Sequence, residues 1–194
     1  MKTLIKTSIT FLLLSIVACK KENAELPAVS DLNSSNTTEA FYIGKSYHGG
    51  FIFYIDKSGQ HGLIVSKADL LASNSSTQIS WNNGRNKIIN ATDVAVGSGL
   101  ANTQKIVTAQ GNTGDYAALL CYNYKTGIYK DWYLPSKNEL NLLYQQQAVI
   151  GAFGQYWSSS EVNKSKAWDQ VFGGGFKEKD RKSFTLNVRA ISSF

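Results

Sequence analysis

The spacing of apolar and polar positions divides the chain into three stretches. Ile9 to Val17 is a short apolar run, broken only by Thr10 and Ser15 and preceded by Lys2 and Lys6. A bilayer span needs about 20 apolar residues, so this run is too short to cross a membrane and has the length of a signal-peptide core. Residues 20–40 read KKENAELPAVSDLNSSNTTEA, a polar stretch without aromatics. It offers too little apolar surface to offset the entropy of ordering it, which predicts a flexible tether over residues 19–40 with ends about 25 Å apart. From Phe41 onward apolar positions recur with the periods of strands and helices, which predicts one folded domain over residues 41–194.

Within that domain, Gly50 to Ile55 and His61 to Ser66 are β-branched and aromatic runs around the turn cluster Asp56-Lys57-Ser58-Gly59. They predict a hairpin. Three helices follow. Ala101 to Gln110 carries Ile106 and Val107 and stops at Gly111. Tyr116 to Tyr124 follows Asp115, the expected N-cap. The third starts after Pro135. Ser136 and Glu139 have capping-box spacing, Leu140, Leu143, Tyr144 and Ala148 recur with helical spacing, and Gly151 stands at the C-cap. The chain then returns to strands at Gln155 to Ser160, Lys166 to Phe172 and Ser183 to Ile191. In the last, Phe184, Leu186, Val188 and Ala190 alternate with Thr185, Asn187, Arg189 and Ile191. Gly173-Gly174-Gly175 lacks the Lys-Ser/Thr of a phosphate loop and is read as a turn between strands. The predicted class is α+β.

Charge and composition narrow the function. The chain carries a formal +6, which falls to +4 without Lys2 and Lys6. That excess is too small and too scattered for nucleic acid, and no such partner is expected. His48 and His61 are the only histidines, and neither has a second ligand at metal-site spacing, so no metal or other cofactor is expected. Cys121, between Leu120 and Tyr122 on a predicted helix, reads as a buried small apolar residue. Asp115, Asp131 and Glu139 have capping or turn roles, and no catalytic residue is expected.

Two features are candidates for ligand binding. Trp81, beside Asn82, Asn83 and Gly84, is the tryptophan expected to be exposed and able to stack on a sugar ring. Trp132, Trp157 and Trp168 are expected in the core. The second candidate is the segment 162–184, with Lys164, Lys166, Lys177, Lys179, Arg181 and Lys182. Cations this close add their fields and attract an anionic partner.

Two resemblances add to this reading. Ile16-Val17-Ala18-Cys19 resembles the lipobox of bacterial lipoproteins. It implies a signal peptide over residues 1–18 and a lipid on Cys19, where two or three acyl chains anchor stably at about 0.8 kcal/mol per buried methylene. Gly49 to Asp56, Gly59 to Ile64, Gly97 to Thr103, Asp131 to Leu140 ("DWYLPSKNEL"), Tyr156 to Glu161 ("YWSSSE"), Ala167-Trp168 and Val188 to Ile191 form the second set. Together they resemble the C-terminal domain of the Legionella collagen-like adhesins, related to the Fibrobacter succinogenes major paralogous domain. The resemblance runs from about Tyr42 to Phe194. It implies a C-type-lectin-like domain, short helices packed on small antiparallel sheets, with no assigned chemistry. The E-P-N, Q-P-D and W-N-D tripeptides of the calcium-dependent sugar lectins are absent.

These readings give a lipid-anchored protein of the cell envelope, at the outer membrane or cell surface, held to the membrane through Cys19. Its expected role is non-catalytic adhesion or capture of an acidic glycan or envelope protein. The alternative is a structural or assembly partner in an envelope complex. Cys19→Ala should abolish incorporation of a fatty-acid analogue and release the protein from the membrane fraction. Unchanged labelling of the variant would refute the lipoprotein reading.

Overall fold

The expected hairpin is the middle of the main sheet. The structure is a computed structural model that describes residues 40–194; the signal run, Cys19 and the tether up to residue 39 lie outside the described residues. In chain order the elements are β1 (Ser46–Tyr47), β2 (Gly50–Ile55), β3 (Gly62–Ser66), β4 (Ile79–Ser80), α1 (Gly99–Gln110), α2 (Ala117–Asn123), α3 (Lys137–Gln145), α4 (Gln147–Ile150), β5 (Gln155–Glu161), β6 (Lys166–Val171), β7 (Lys177–Arg181), β8 (Thr185–Leu186) and β9 (Ile191–Ser193). They form an antiparallel sheet β1-β2-β3-β9, a pair β4-β8 and a meander β5-β6-β7. The α+β class is thus observed. None of the described helices is long and apolar enough to cross a membrane.

The main sheet is buried on both faces, which is why β3 is apolar without alternation. Ile52 and Ile64 face one core, shared with Ile106 of α1, Ala117 and Cys121 of α2, and Trp132 and Trp157. Phe53, Leu63 and Val65 face a second core with Leu140 and Leu143 of α3, Tyr156 and Phe172. Cys121 is free and buried, as expected. The register shifts between Ile52 and Tyr54, which leaves Phe53 as the extra residue of a bulge. Both ends of the domain meet at this sheet. Gly62 and Phe194 exchange backbone hydrogen bonds at 3.1 Å each, and the Phe194 ring packs edge-on against Phe41 and Tyr47.

The helix signals are met in part. α1 ends at Gly111, whose φ of 91° suits glycine. Ser136 and Glu139 form the capping box, and the Glu139 carboxylate also accepts the Gly97 N–H at 2.8 Å. The third helix is shorter than expected: it breaks at Gln146, and Ala148 belongs to α4, which Gly151 closes in the left-handed conformation. Asp115 does not cap α2. It accepts hydrogen bonds from the Ser73 N–H at 2.8 Å and from the Ser73 hydroxyl.

The expected strand Ser183 to Ile191 is also corrected. Only Thr185–Leu186 and Ile191–Ser193 are strands. Between them Val188 and Ala190 are buried, and so is Arg189, so the alternation does not mark a half-exposed strand. Arg189 pairs with Asp69 at 2.5 Å and donates to the carbonyls of Ser66 and Gly151. Further irregularity lies in β5, where Trp157 faces Asp169 but Glu161 already faces Ala167. The intervening Ser158, Ser159 and Ser160 are buried and small enough to hydrogen-bond neighbouring segments: Ser158 donates to Trp168 O and Ser160 to Asp93 O, each at 2.7 Å.

Two expected ligand residues are structural instead. Trp81 is 0% exposed, and its Nε1 donates to Ser158 O at 2.8 Å. The surrounding asparagines bond to backbone and to each other, which lets the indole turn inward. Lys182 is also 0% exposed. Its Nζ donates to Glu161 Oε1 at 2.5 Å and to the carbonyls of Lys87 and Lys164 at 3.0 and 3.2 Å, and lies 4.4 Å from the Trp81 ring centroid. Glu161 also accepts the Ile89 and Asn90 N–H groups. Burial pulls the Lys182 ammonium below the usual lysine range, and the Glu161 carboxylate opposes that fall. Lys182→Ala would leave Glu161 buried without its cation. It should cost about 3–5 kcal/mol, measured by urea denaturation, whereas Lys179→Ala should stay within about 0.5 kcal/mol.

Candidate functional site

The remaining basic residues gather on the β6–β7 hairpin, and the strand register decides how. Successive side chains of a strand point to opposite faces, and residues directly paired across an antiparallel ladder share one face. Lys166 pairs with Arg181, Trp168 with Lys179 and Gln170 with Lys177. These six residues share a face. Ala167 pairs with Asp180 and Asp169 with Glu178, so the carboxylates occupy the other. The segment Lys177-Glu178-Lys179-Asp180-Arg181 alternates in charge along the strand. Among the described residues no ion pair joins these lysines to Glu178 or Asp180. The turn that closes the hairpin runs through Gly173 to Gly175, as expected, and Gly175 takes a φ of 75° where a Cβ would strike the Tyr144 ring.

The basic face gains a member from outside the hairpin. Lys137, the first residue of α3, places its Nζ 3.5 Å from the Trp168 ring centroid, and Lys179 lies 4.7 Å from it. α3 is held there by the Gln170 amide, which donates to Asn141 Oδ1 at 3.2 Å, and by the Lys137 N–H, which donates to Ser160 Oγ at 3.0 Å. Trp168 is only partly buried, which corrects its expected place in the core. Burial pulls the Lys137 ammonium down, and the neighbouring Lys177 and Lys179 charges add to the fall. A group whose charged form is disfavoured by like charges gains most when an anion arrives. Lys164 is exposed in the turn before β6, at the end of the hairpin near Lys166 and Arg181.

The opposite face is acidic. Asp169 is 1% exposed. The Gln155 amide donates to Asp169 Oδ2 at 2.6 Å and to Asp180 Oδ2 at 3.1 Å. Burial, together with the Asp180 and Glu178 charges, pushes the Asp169 carboxyl up to about 6 against the Gln155 hydrogen bond.

The structure thus brings Lys166, Lys177, Lys179 and Arg181 together, sets Lys164 at their edge, and removes Trp81 and Lys182. Sequence reasoning missed Lys137, for which no local signal exists, since α3 delivers it from far back in the chain to Trp168. It also missed the acidic face, although the K-E-K-D-R alternation is a strand signal for two unlike faces. The other acidic residues stay apart: Glu139 is held in its capping box, and Asp131 is exposed at a cleft beside Lys130 and Trp132. His48 is stacked between Tyr47 and Tyr129.

No family model matches the chain, and no curated protein matches it. Among solved structures it is similar to a fimbrial protein from Bacteroides ovatus ATCC 8483, known from a crystal structure at 1.85 Å resolution. The TM-score is 0.50 at 13% sequence identity, over 73% of this chain and 43% of that one. The chain therefore spans less than half the length of the fimbrial protein. The likeness concerns the fold.

A carboxyl raised in the folded state binds its proton more tightly there than in the unfolded chain. The stability due to Asp169 is thus fully present below about pH 4 and lost as pH rises to about 6. Asp169→Asn should therefore gain on the wild type between pH 4 and pH 7, by roughly 2 kcal/mol in paired urea denaturations without added metal.

Proposed function

We propose that the domain is a non-catalytic binding module of the cell envelope that takes an anionic ligand on the lysine face of the β6–β7 hairpin. One observation carries this reading. Lys137 and Lys179 lie over the partly exposed Trp168, with Lys166, Lys177 and Arg181 on the same face and, among the described residues, no carboxylate in an ion pair with them. Summed positive potential of this kind attracts anions and raises their encounter rate. With both cations already over the indole, recognition rests on charge and not on stacking of a bare aromatic face. An acidic glycan, with charges repeated along an extended chain, matches a row of cations set out along two strands.

The C-type-lectin-like reading of the fold is kept as part of the proposal. It is supported by the resemblance in sequence and by the short helices and small antiparallel sheets of the domain. Display at the cell surface through a lipidated Cys19 rests on the N-terminal sequence, and the fold likeness to a fimbrial protein agrees with it. That likeness also favours a second reading, in which the domain is an assembly partner in an envelope structure and the basic face meets an acidic protein.

A salt series of heparin binding tests the proposal. Exposed charges are screened over a Debye length of about 8 Å at physiological salt, so affinity should fall steeply as salt rises. Replacing Lys137, Lys177 and Lys179 together by Ala should lower affinity about tenfold or more at low salt and flatten the salt dependence, with the fold intact by circular dichroism. Equal affinities for wild type and variant across the series would remove this face as an anion site and leave the assembly reading ahead.

A further inference from the structure

The acidic face of the same hairpin has no part in anion binding, yet it is arranged more closely than repulsion alone would leave it. One carboxylate oxygen from each of Asp169, Glu178 and Asp180 lies within 4.8 Å of the others. Three like charges at that spacing repel unless something positive stands among them. Among the described residues no cation is in an ion pair with them, and the Gln155 amide reaches Asp169 and Asp180. Asp169 is 99% buried, its carboxylate turned into this group, and its Oδ1 has no hydrogen-bond partner. A buried carboxylate oxygen without a donor is costly, because desolvation is not repaid.

We infer that Asp169, Glu178 and Asp180 form a calcium site, with the Gln155 side chain as a further oxygen ligand. The donor set is all oxygen, which selects a hard cation. Ligand number selects among hard cations. Calcium takes about six to eight oxygens in flexible geometry, whereas magnesium is usually held by one or two carboxylates and keeps several waters, so three carboxylates and an amide favour calcium. Asp169 supplies a rigid buried ligand, Asp180 an intermediate one, and Glu178 an exposed one that leaves room for water. Rotation of the Gln155 carboxamide by half a turn exchanges its NH2 for its oxygen, so the group that bridges two carboxylates becomes a ligand. The site lies on the face opposite the lysines, so it stands or falls apart from the anion-binding reading.

The test uses the full chain, purified in detergent and cleared of metal with EDTA. Calcium chloride is titrated calorimetrically at pH 7.5, with thermal melts alongside. Extracellular calcium modules bind at ~10⁻⁴–10⁻³ M, so the titration extends to ~10 mM. One equivalent should bind and raise the melting temperature, with magnesium at least tenfold weaker. Asp169→Asn should weaken calcium at least tenfold while keeping the circular dichroism of the wild type. Glu178→Gln, at an exposed position, should weaken it severalfold with no effect on the fold. Lys179→Ala, on the other face, should not weaken it. The absence of saturable calcium binding to the wild type, or equal affinity in Asp169→Asn and Glu178→Gln, would overturn the inference.

Discussion

The hairpin that carries both charged faces is held at its root by one buried ion pair. Glu161 is the last residue of β5, before the hairpin, and Lys182 the first after β7. Their bond at 2.5 Å therefore closes the base of everything between them. Burying two charges costs several kcal/mol per ion, and an apolar pair of similar volume is often as stable. What an apolar pair cannot do is gather backbone. Lys182 uses its three N–H donors on Glu161, Lys87 and Lys164, and Glu161 accepts from Ile89 and Asn90. Three stretches of chain, residues 87–90, 161–164 and 182, are thereby fixed to one point beneath Trp81.

From that root the β6–β7 ribbon divides its charge by strand geometry alone. Cations and carboxylates adjacent in sequence are sent to opposite sides, where they cannot neutralise one another. The arrangement is expensive on each side, since like charges are held together on both. The meander tolerates it because β5 and α3 brace the ribbon: Gln170 reaches Asn141 on one side, and Gln155 reaches Asp169 and Asp180 on the other. Two faces with unfavourable self-energy are two faces ready to gain from a counter-charge.

Much of the scaffold was legible in the sequence. The hairpin at Gly50 to Ser66, the capping box at Ser136 and Glu139, the stop at Gly111 and the turn at Gly173 to Gly175 are all signalled by residues near in sequence, where local geometry decides. What escaped depends on distant partners. Asp115 reads as a cap until Ser73, 42 residues away, competes for it. The alternation from Ser183 to Ile191 reads as a strand until Arg189 finds Asp69 and is buried too. The site suffered most, because composition shows lysines without showing their direction. Lys182 differs from Lys179 only in facing Glu161, and Lys137 comes from another element. Trp81 looked exposed because its neighbours are polar, but polar neighbours that bond to one another can roof an indole as well as apolar ones.

The meeting of Phe41, Tyr47 and Phe194 beside the Gly62 strand end has a consequence for how such a unit is reused. The chain comes in and goes out within one aromatic contact, with ring centroids 4.8 to 5.1 Å apart. A unit of that kind can be spliced into a loop of a larger host without prising the host apart, because the gap to be bridged is no wider than the loop it replaces. It can equally be permuted, by joining the two ends and opening the chain at an exposed turn such as Asp56 to Gly59. Its architecture is that of a portable part, whose charged ribbon is braced from within the domain, by Asn141 of α3 and Gln155 of β5.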